Sequence, residues 1–140
     1  MILDEIHDPK KMIPFRMAPF ILISTLATHL FGGSAGREGT AVQMGGAIAD
    51  QLSRPFGLKP EERKILLMAG ISAGFASVFG TPLAGAIFGL EVLVLGRLRY
   101  DAILPCFTAA IIGNMAALAC GARHQVYASG AIPPASAATA

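Results

Sequence analysis

Charge is what this 140-residue chain has least of. Asp, Glu, Lys and Arg together make up 14% of it, while 54% is hydrophobic and the mean hydropathy is +0.59. Soluble domains carry about 25% charged residues, so the balance sets this chain apart from them. A net charge of +2, spread over short connecting stretches, is too small for a nucleic-acid partner. Cysteine is scarce as well. Cys106 and Cys120 stand in apolar sequence with no His or Cys at metal-ligand spacing. They are expected as buried small side chains, with no disulfide, metal or other cofactor. The start, Met1-Ile2-Leu3-Asp4-Glu5, is acidic and lacks the basic head and apolar core of a signal peptide. Targeting therefore falls to the apolar segments themselves.

Those segments are organised around Gly32-Gly33-Ser34-Ala35-Gly36-Arg37-Glu38-Gly39-Thr40. The stretch sets an Arg and a Glu among glycines, between two runs, 17–36 and 39–49, that hold no Asp, Glu, Lys or Arg. Ionisable side chains at membrane depth are costly and mark ion or substrate pathways. Thr40-Ala41-Val42-Gln43-Met44 reads as the first turn of a helix. A helix start leaves about four amides unpaired and carries roughly half a positive charge, so it can hold an anion. The residues describe an anion site with a titratable carboxylate beside it.

Along the chain, Pro14 and Pro19 suit the opening of a helix over 14–31. His29, near its end, is expected to be packed and hydrogen-bonded, without a role. A second helix spans 40–53, stopping before Arg54-Pro55. The charge run 59–64 has acids ahead of bases, as a helix start prefers, and reads as a solvated connection. Residues 65–90 are uncharged, yet Gly80-Thr81-Pro82 divides them into helices over 61–79 and 82–96. That break fits either a broken intramembrane helix of the kind transporters use or an ordinary helical hairpin. Gly70 with Gly74, and Gly85 with Gly89, put small residues on single helix faces, where helices can approach closely. Glu91 is expected to snorkel or to pair with Arg97 or Arg99. A fifth helix, 102–120, is apolar enough to span a bilayer despite Pro105. Residues 122–140, rich in Ala, Pro and Ser, read as a tail. Bases occur in nearly every connection, so membrane orientation is not set by them.

Other motifs fit less well. Gly32-Gly33-Ser34-Ala35-Gly36 satisfies the G-x-S-x-G pattern of serine hydrolases, with Ser34 as nucleophile. That motif needs a strand before the serine, and an apolar stretch of helix length stands there instead. His124 is the only downstream histidine. A phosphate-binding loop lacks its Lys. Glu38 as a plain helix cap remains open, as does a membrane fragment with no transport activity of its own.

Gly36-Arg37-Glu38-Gly39-Thr40, followed by Ala41-Val42-Gln43-Met44-Gly45-Gly46, resembles the Gly-Arg-Glu-Gly-Pro filter segment of the voltage-gated-type (CLC) chloride channels and transporters. A second match follows in family order: Arg63 through Ala69-Gly70, then Ala73-Gly74-Phe75-Ala76, Phe79-Gly80-Thr81-Pro82-Leu83-Ala84-Gly85, and Phe88-x-x-Glu91. The resemblance covers residues 1–121, about a third of a typical family subunit. The family's Gly-Ser-Gly-Ile-Pro segment would fall before Met1, and its Gly-x-Phe-x-Pro segment and pore tyrosine beyond Ala140. The chain is thus expected to be a fragment or the product of a truncated gene.

The resemblance implies an all-α integral membrane fold of short, tilted and broken helices, here the later part (1–121) of the first of two inverted halves. It implies multi-pass insertion in the cell membrane, with the lipid bilayer as surroundings. It also implies chloride or fluoride as the ion, protons where exchange is coupled, and a homodimer in the full-length protein. No enzyme activity is implied. Glu38 is then the gating and proton-carrying residue, and the amides of Arg37, Glu38 and Gly39 line the outer anion site. Two positions depart from the pattern. Thr40 replaces the usual Pro, as in the fluoride-exporting branch, which makes it a candidate for selectivity. Val92 stands where many chloride/proton antiporters carry a second glutamate. The faces carrying Gly85, Gly89 and Leu93, with 102–119, are expected at the dimer interface.

Overall fold

The computed structural model describes residues 12–91 and 99–124, so Val92, Leu93 and Arg97 lie outside the described residues. Five helices follow one another: α1 Met17–Leu30, α2 Arg37–Ser53, α3 Pro60–Phe79, α4 Pro82–Glu91 and α5 Tyr100–Ala119. No strand occurs among the described residues. The helices expected at 61–79 and 102–120 are found within two residues, and α5 runs on through Pro105. Two starts are corrected by three residues: α1 begins at Met17, not Pro14, and α2 begins at Arg37, not Thr40. Gly36 is already extended there (φ −67°, ψ 128°), and the acid of Glu38 favours a first turn.

Local chemistry explains the other ends. Pro60 occupies the first turn of α3, and the Glu62 carboxylate accepts the Lys59 N–H at 2.8 Å. Gly80 ends α3 in the left-handed region (φ 69°), its N–H donating to the Ala76 carbonyl. Pro82 then opens α4. The turn makes α3 and α4 an antiparallel hairpin, the plainer of the two arrangements that Gly80-Thr81-Pro82 allows. A Cβ on Gly85 would meet Ala76 at 2.8 Å, and one on Gly89 would meet the Met68 carbonyl at 2.9 Å. Both glycines therefore face α3 within the chain, not a partner subunit.

Helix α3 is the axis of the bundle. Against α2 the contact is nearly backbone to backbone: a Cβ on Gly45 would run into the Gly70 carbonyl, and one on Gly74 into the Ala41 carbonyl. On the α5 side, a Cβ on Gly113 would meet Ala73 at 2.9–3.1 Å. Leu67, Met68, Ile71 and Cys106 form the core between these helices. The outside is apolar too, with Phe20, Leu26, Leu83, Leu104, Ile112 and Met115 all exposed. Helix α5 is the one helix among the described residues that is long and apolar enough to cross a membrane. The 14 residues of α1 and the 10 described residues of α4 span about 21 and 15 Å.

One buried ion pair departs from the sequence reading. The run 59–64 reads as solvated, yet Arg63 is buried and grips Asp50 on α2 through Nε–Oδ1 at 2.6 Å and Nη2–Oδ2 at 2.9 Å. Asp50, wholly buried, also accepts the Ile13 N–H at 2.7 Å. Gln51 donates to the Ile13 carbonyl at 2.7 Å, so the chain ahead of α1 is tied to the same point. Arg99 likewise chooses nearer partners than Glu91. It bonds Glu61 at 2.7 Å and Asp101 at 2.7 Å, because both carboxylates open helices at its own end of the bundle. Glu91 is left exposed at the end of α4. Cys106 is buried as expected, but Cys120 is exposed, since it caps α5 past the stretch that α3 covers.

Two stability effects are expected in thermal unfolding of the detergent-solubilised protein. Gly45→Val should cost about 2–3 kcal/mol, because the side chain meets backbone that cannot step aside. Gly39→Ala, facing open space in a helical turn, should instead gain roughly 0.5–1 kcal/mol. Equal midpoints for the two would contradict the close α2–α3 contact. Asp50→Ala, which strips a buried acceptor from Arg63 and Ile13, should cost about 3–5 kcal/mol. A loss below 1 kcal/mol would show that the pair is not buried as described.

Candidate anion site at the start of α2

Glycine shapes the approach to α2. After α1, Gly32 turns the chain with φ 76°, and the Gly33 N–H donates to the Thr28 carbonyl at 2.8 Å. Gly33 is also pressed so closely on Thr28 that a Cβ there would meet its methyl at 2.8 Å. Ser34 follows in this exposed loop, behind a helix and not a strand. His124 is engaged elsewhere, its Nε2 donating to the Ser77 carbonyl at 3.0 Å. The nucleophile-elbow reading of Ser34 therefore has neither its fold nor its base.

Gly36 is the N-cap of α2 and offers no capping side chain. Arg37, Glu38 and Gly39 are consequently the first three helical residues, and their amides have no partner along the helix. The positive end of the α2 dipole is thus uncapped by any side chain. Arg37 and Glu38 are both exposed. Neither makes an ion pair or side-chain hydrogen bond among the described residues, with each other included. Thr40, one position further on, is half-buried, and its hydroxyl is 2.8 Å from the Thr25 hydroxyl on α1 and 3.3 Å from the Gly36 carbonyl.

A cleft of about 660 Å³ opens beside this turn, reached by Arg37, Thr40, Thr25, His29, Arg123 and His124. Among the described residues no carboxylate lines it. Helix α3 arrives at the same cleft with its C-terminal residues Ser77 and Val78. His29 is hydrogen-bonded as expected, through Nδ1 to the Thr25 carbonyl at 2.7 Å, but it is exposed and not packed. Sequence reasoning did not find Arg123 and His124, because 122–140 reads as tail. The only signal was the presence of two bases directly after a 21-residue uncharged run.

The described residues are thus all-helical and largely apolar, with a helix start at Arg37 and Glu38 that no side chain caps. The chain belongs to the voltage gated chloride channel family, whose profile it matches over residues 1–139. It is 63% identical over 134 residues to the "Chloride/fluoride channel protein" of Pseudomonas syringae pv. tomato, covering 96% of this chain and 30% of that protein. It is also 37% identical over 110 residues to the "H(+)/Cl(-) exchange transporter ClcA" of Vibrio cholerae serotype O1, covering 72% of this chain and 23% of that one. The chain therefore spans less than a third of the length of these relatives. The family is one of membrane proteins.

Proposed function

We propose that this chain forms part of a transmembrane anion pathway, with Glu38 as its gate and the amides of Arg37, Glu38 and Gly39 as its anion donors. The observation that carries the reading is the uncapped start of α2, which has in the same turn a carboxylate with no partner among the described residues. A carboxylate and a free anion compete for one set of N–H donors. Ionised Glu38 would occupy them; protonated Glu38 gives them up and admits the ion. Exchange of the ion and exchange of a proton on Glu38 would then be linked through the one set of donors. The cleft at the same turn, lined by bases and by no acid among the described residues, favours an anion over a cation.

Relatives named as a chloride/fluoride channel and as H(+)/Cl(-) exchange transporters support chloride or fluoride as the ion and a channel or a proton-coupled exchanger as the machine. Fluoride is the proposed preference. Its large desolvation cost calls for closely gathered donors, and Thr40, where the family pattern has Pro, brings a hydroxyl that ties this turn to α1. Residues 1–121 are proposed as the later part of the first half of the family fold, multi-pass in the cell membrane, with 122–140 as a tail beyond it. A homodimer is proposed through the exposed face of α5, where Leu104, Ile112 and Met115 lie bare. Gly85 and Gly89 are not part of that face.

Fluoride and chloride efflux from liposomes carrying the full-length protein tests the reading. Wild type should pass fluoride faster than chloride, and more of either at acid pH. Glu38→Gln should conduct without regard to pH. Chloride flux equal to or above fluoride flux removes the fluoride assignment, and unchanged pH dependence in Glu38→Gln removes the gate. For the dimer, Ile112→Cys should give a crosslinked band of twice the subunit mass in membranes. Its absence counts against α5 as the interface.

A further inference from the structure

Helix α1 has little to hold its second half against α2. Of its residues only Ala18, near the start, is buried, whereas Phe20, Leu26 and Leu30 are exposed. Among the described residues one side-chain hydrogen bond joins the two helices, between the hydroxyls of Thr25 and Thr40 at 2.8 Å. Thr40 also lies 3.3 Å from the Gly36 carbonyl, at the N-cap of α2. The bond therefore reaches the turn that carries Glu38 and the three unpaired amides.

The protons of this pair can be counted, since each hydroxyl brings one donor. If Thr25 donates to Thr40, the Thr40 proton goes to the Gly36 carbonyl. If Thr40 donates to Thr25, its proton is spent on that bond, and the Thr25 proton is left to turn into the cleft that both residues line. In either arrangement the Thr40 proton is committed within the protein. Thr40 thus influences the ion by where it is held, and Thr25 holds it.

We propose that Thr25 is a positioning residue for the anion site: its hydroxyl fixes Thr40 and so sets the direction in which the first turn of α2 aims its amides. The inference rests on the reading of that turn as the anion site. A small anion needs its donors gathered more tightly than a large one does. Loosening the Thr25–Thr40 clasp should therefore alter discrimination between fluoride and chloride more than it alters folding.

The test uses the full-length protein in liposomes, comparing Thr25→Val, Thr25→Ser, Thr40→Val and the double Val variant. Thr25→Val, close in shape but without the hydroxyl, should change the fluoride-to-chloride flux ratio by about three- to ten-fold, the factor one neutral hydrogen bond sets. Thr25→Ser should restore the wild-type ratio. The double variant should shift no further than the larger single change, because both remove the same bond. A ratio untouched by Thr25→Val overturns the proposal, whatever Thr40→Val does. Absence of flux in wild type, or indifference to Glu38→Gln, strikes at the anion-site reading instead. Amide hydrogen exchange then decides the positioning role on its own. Faster exchange at residues 37–40 in Thr25→Val, but not in Thr25→Ser, supports the clasp; equal exchange in all variants overturns it.

Discussion

The close approach of α2 to α3 is the constraint on which the rest of the structure depends. Gly45, Gly70 and Gly74, with Ala41 and Ala49, leave no side chain larger than a methyl between two backbones. Apolar surroundings offer such helices no hydrophobic incentive to pair, so surface fit and dispersion must supply the attraction. Small residues provide both without burying a polar group. The geometry also sets where α2 ends. With its middle fixed on α3, its first turn is carried to the end of the bundle where α3 stops, and its last turn to the end where α3 begins.

The two ends are finished in opposite ways. At the α3 start, Asp50 and Arg63 are locked by paired hydrogen bonds, and Ile13 and Gln51 draw in the preceding chain. Residue 38 lies about 18 Å away along the helix, and that end is left open. Gly36 gives no cap, Arg37 and Glu38 have no partners among the described residues, and α1 lies loosely alongside. Rigidity concentrated far from a site, with the site itself unsatisfied, is the arrangement expected of a turn that must exchange one negative group for another.

Much of this was legible in the residues. Gly80-Thr81-Pro82 announced its break because a left-handed cap followed by an N1 proline has few other uses, and the spacing of Gly70 with Gly74 and of Gly85 with Gly89 marked close contacts correctly. Glu38 stood out by being charged where its neighbours were not. What stayed hidden depended on three dimensions. Asp50 and Arg63 look like separate polar helix ends until the helices between them fold back. Arg99 had several carboxylates within plausible reach, and only the fold ranks them. The start of α2 was placed three residues late because the glycines on either side of Arg37 and Glu38 read as a loop, which hides the good helix propensity of those two residues. His124 was lost in the tail because nothing local says that it returns to α3.

The antiparallel pairing of α2 and α3 also shapes the range of the field at the site. Ser77 and Val78 bring the carbonyl end of α3 to the cleft where α2 presents its amides. Two partial charges of opposite sign, roughly half a unit each, then lie side by side. Such a couple fades with distance much faster than either end would alone. The His124 ring, donating to the Ser77 carbonyl and stacked over Gly80, quiets one carbonyl of the negative member. An ion a few ångströms from the α2 amides feels them strongly, while one further off in the cleft feels little from either helix. In the proposed site, distant capture would fall to whole charges such as Arg37 and Arg123, and the final hold to the amides, so that recruitment and retention would be tuned by different parts of the chain.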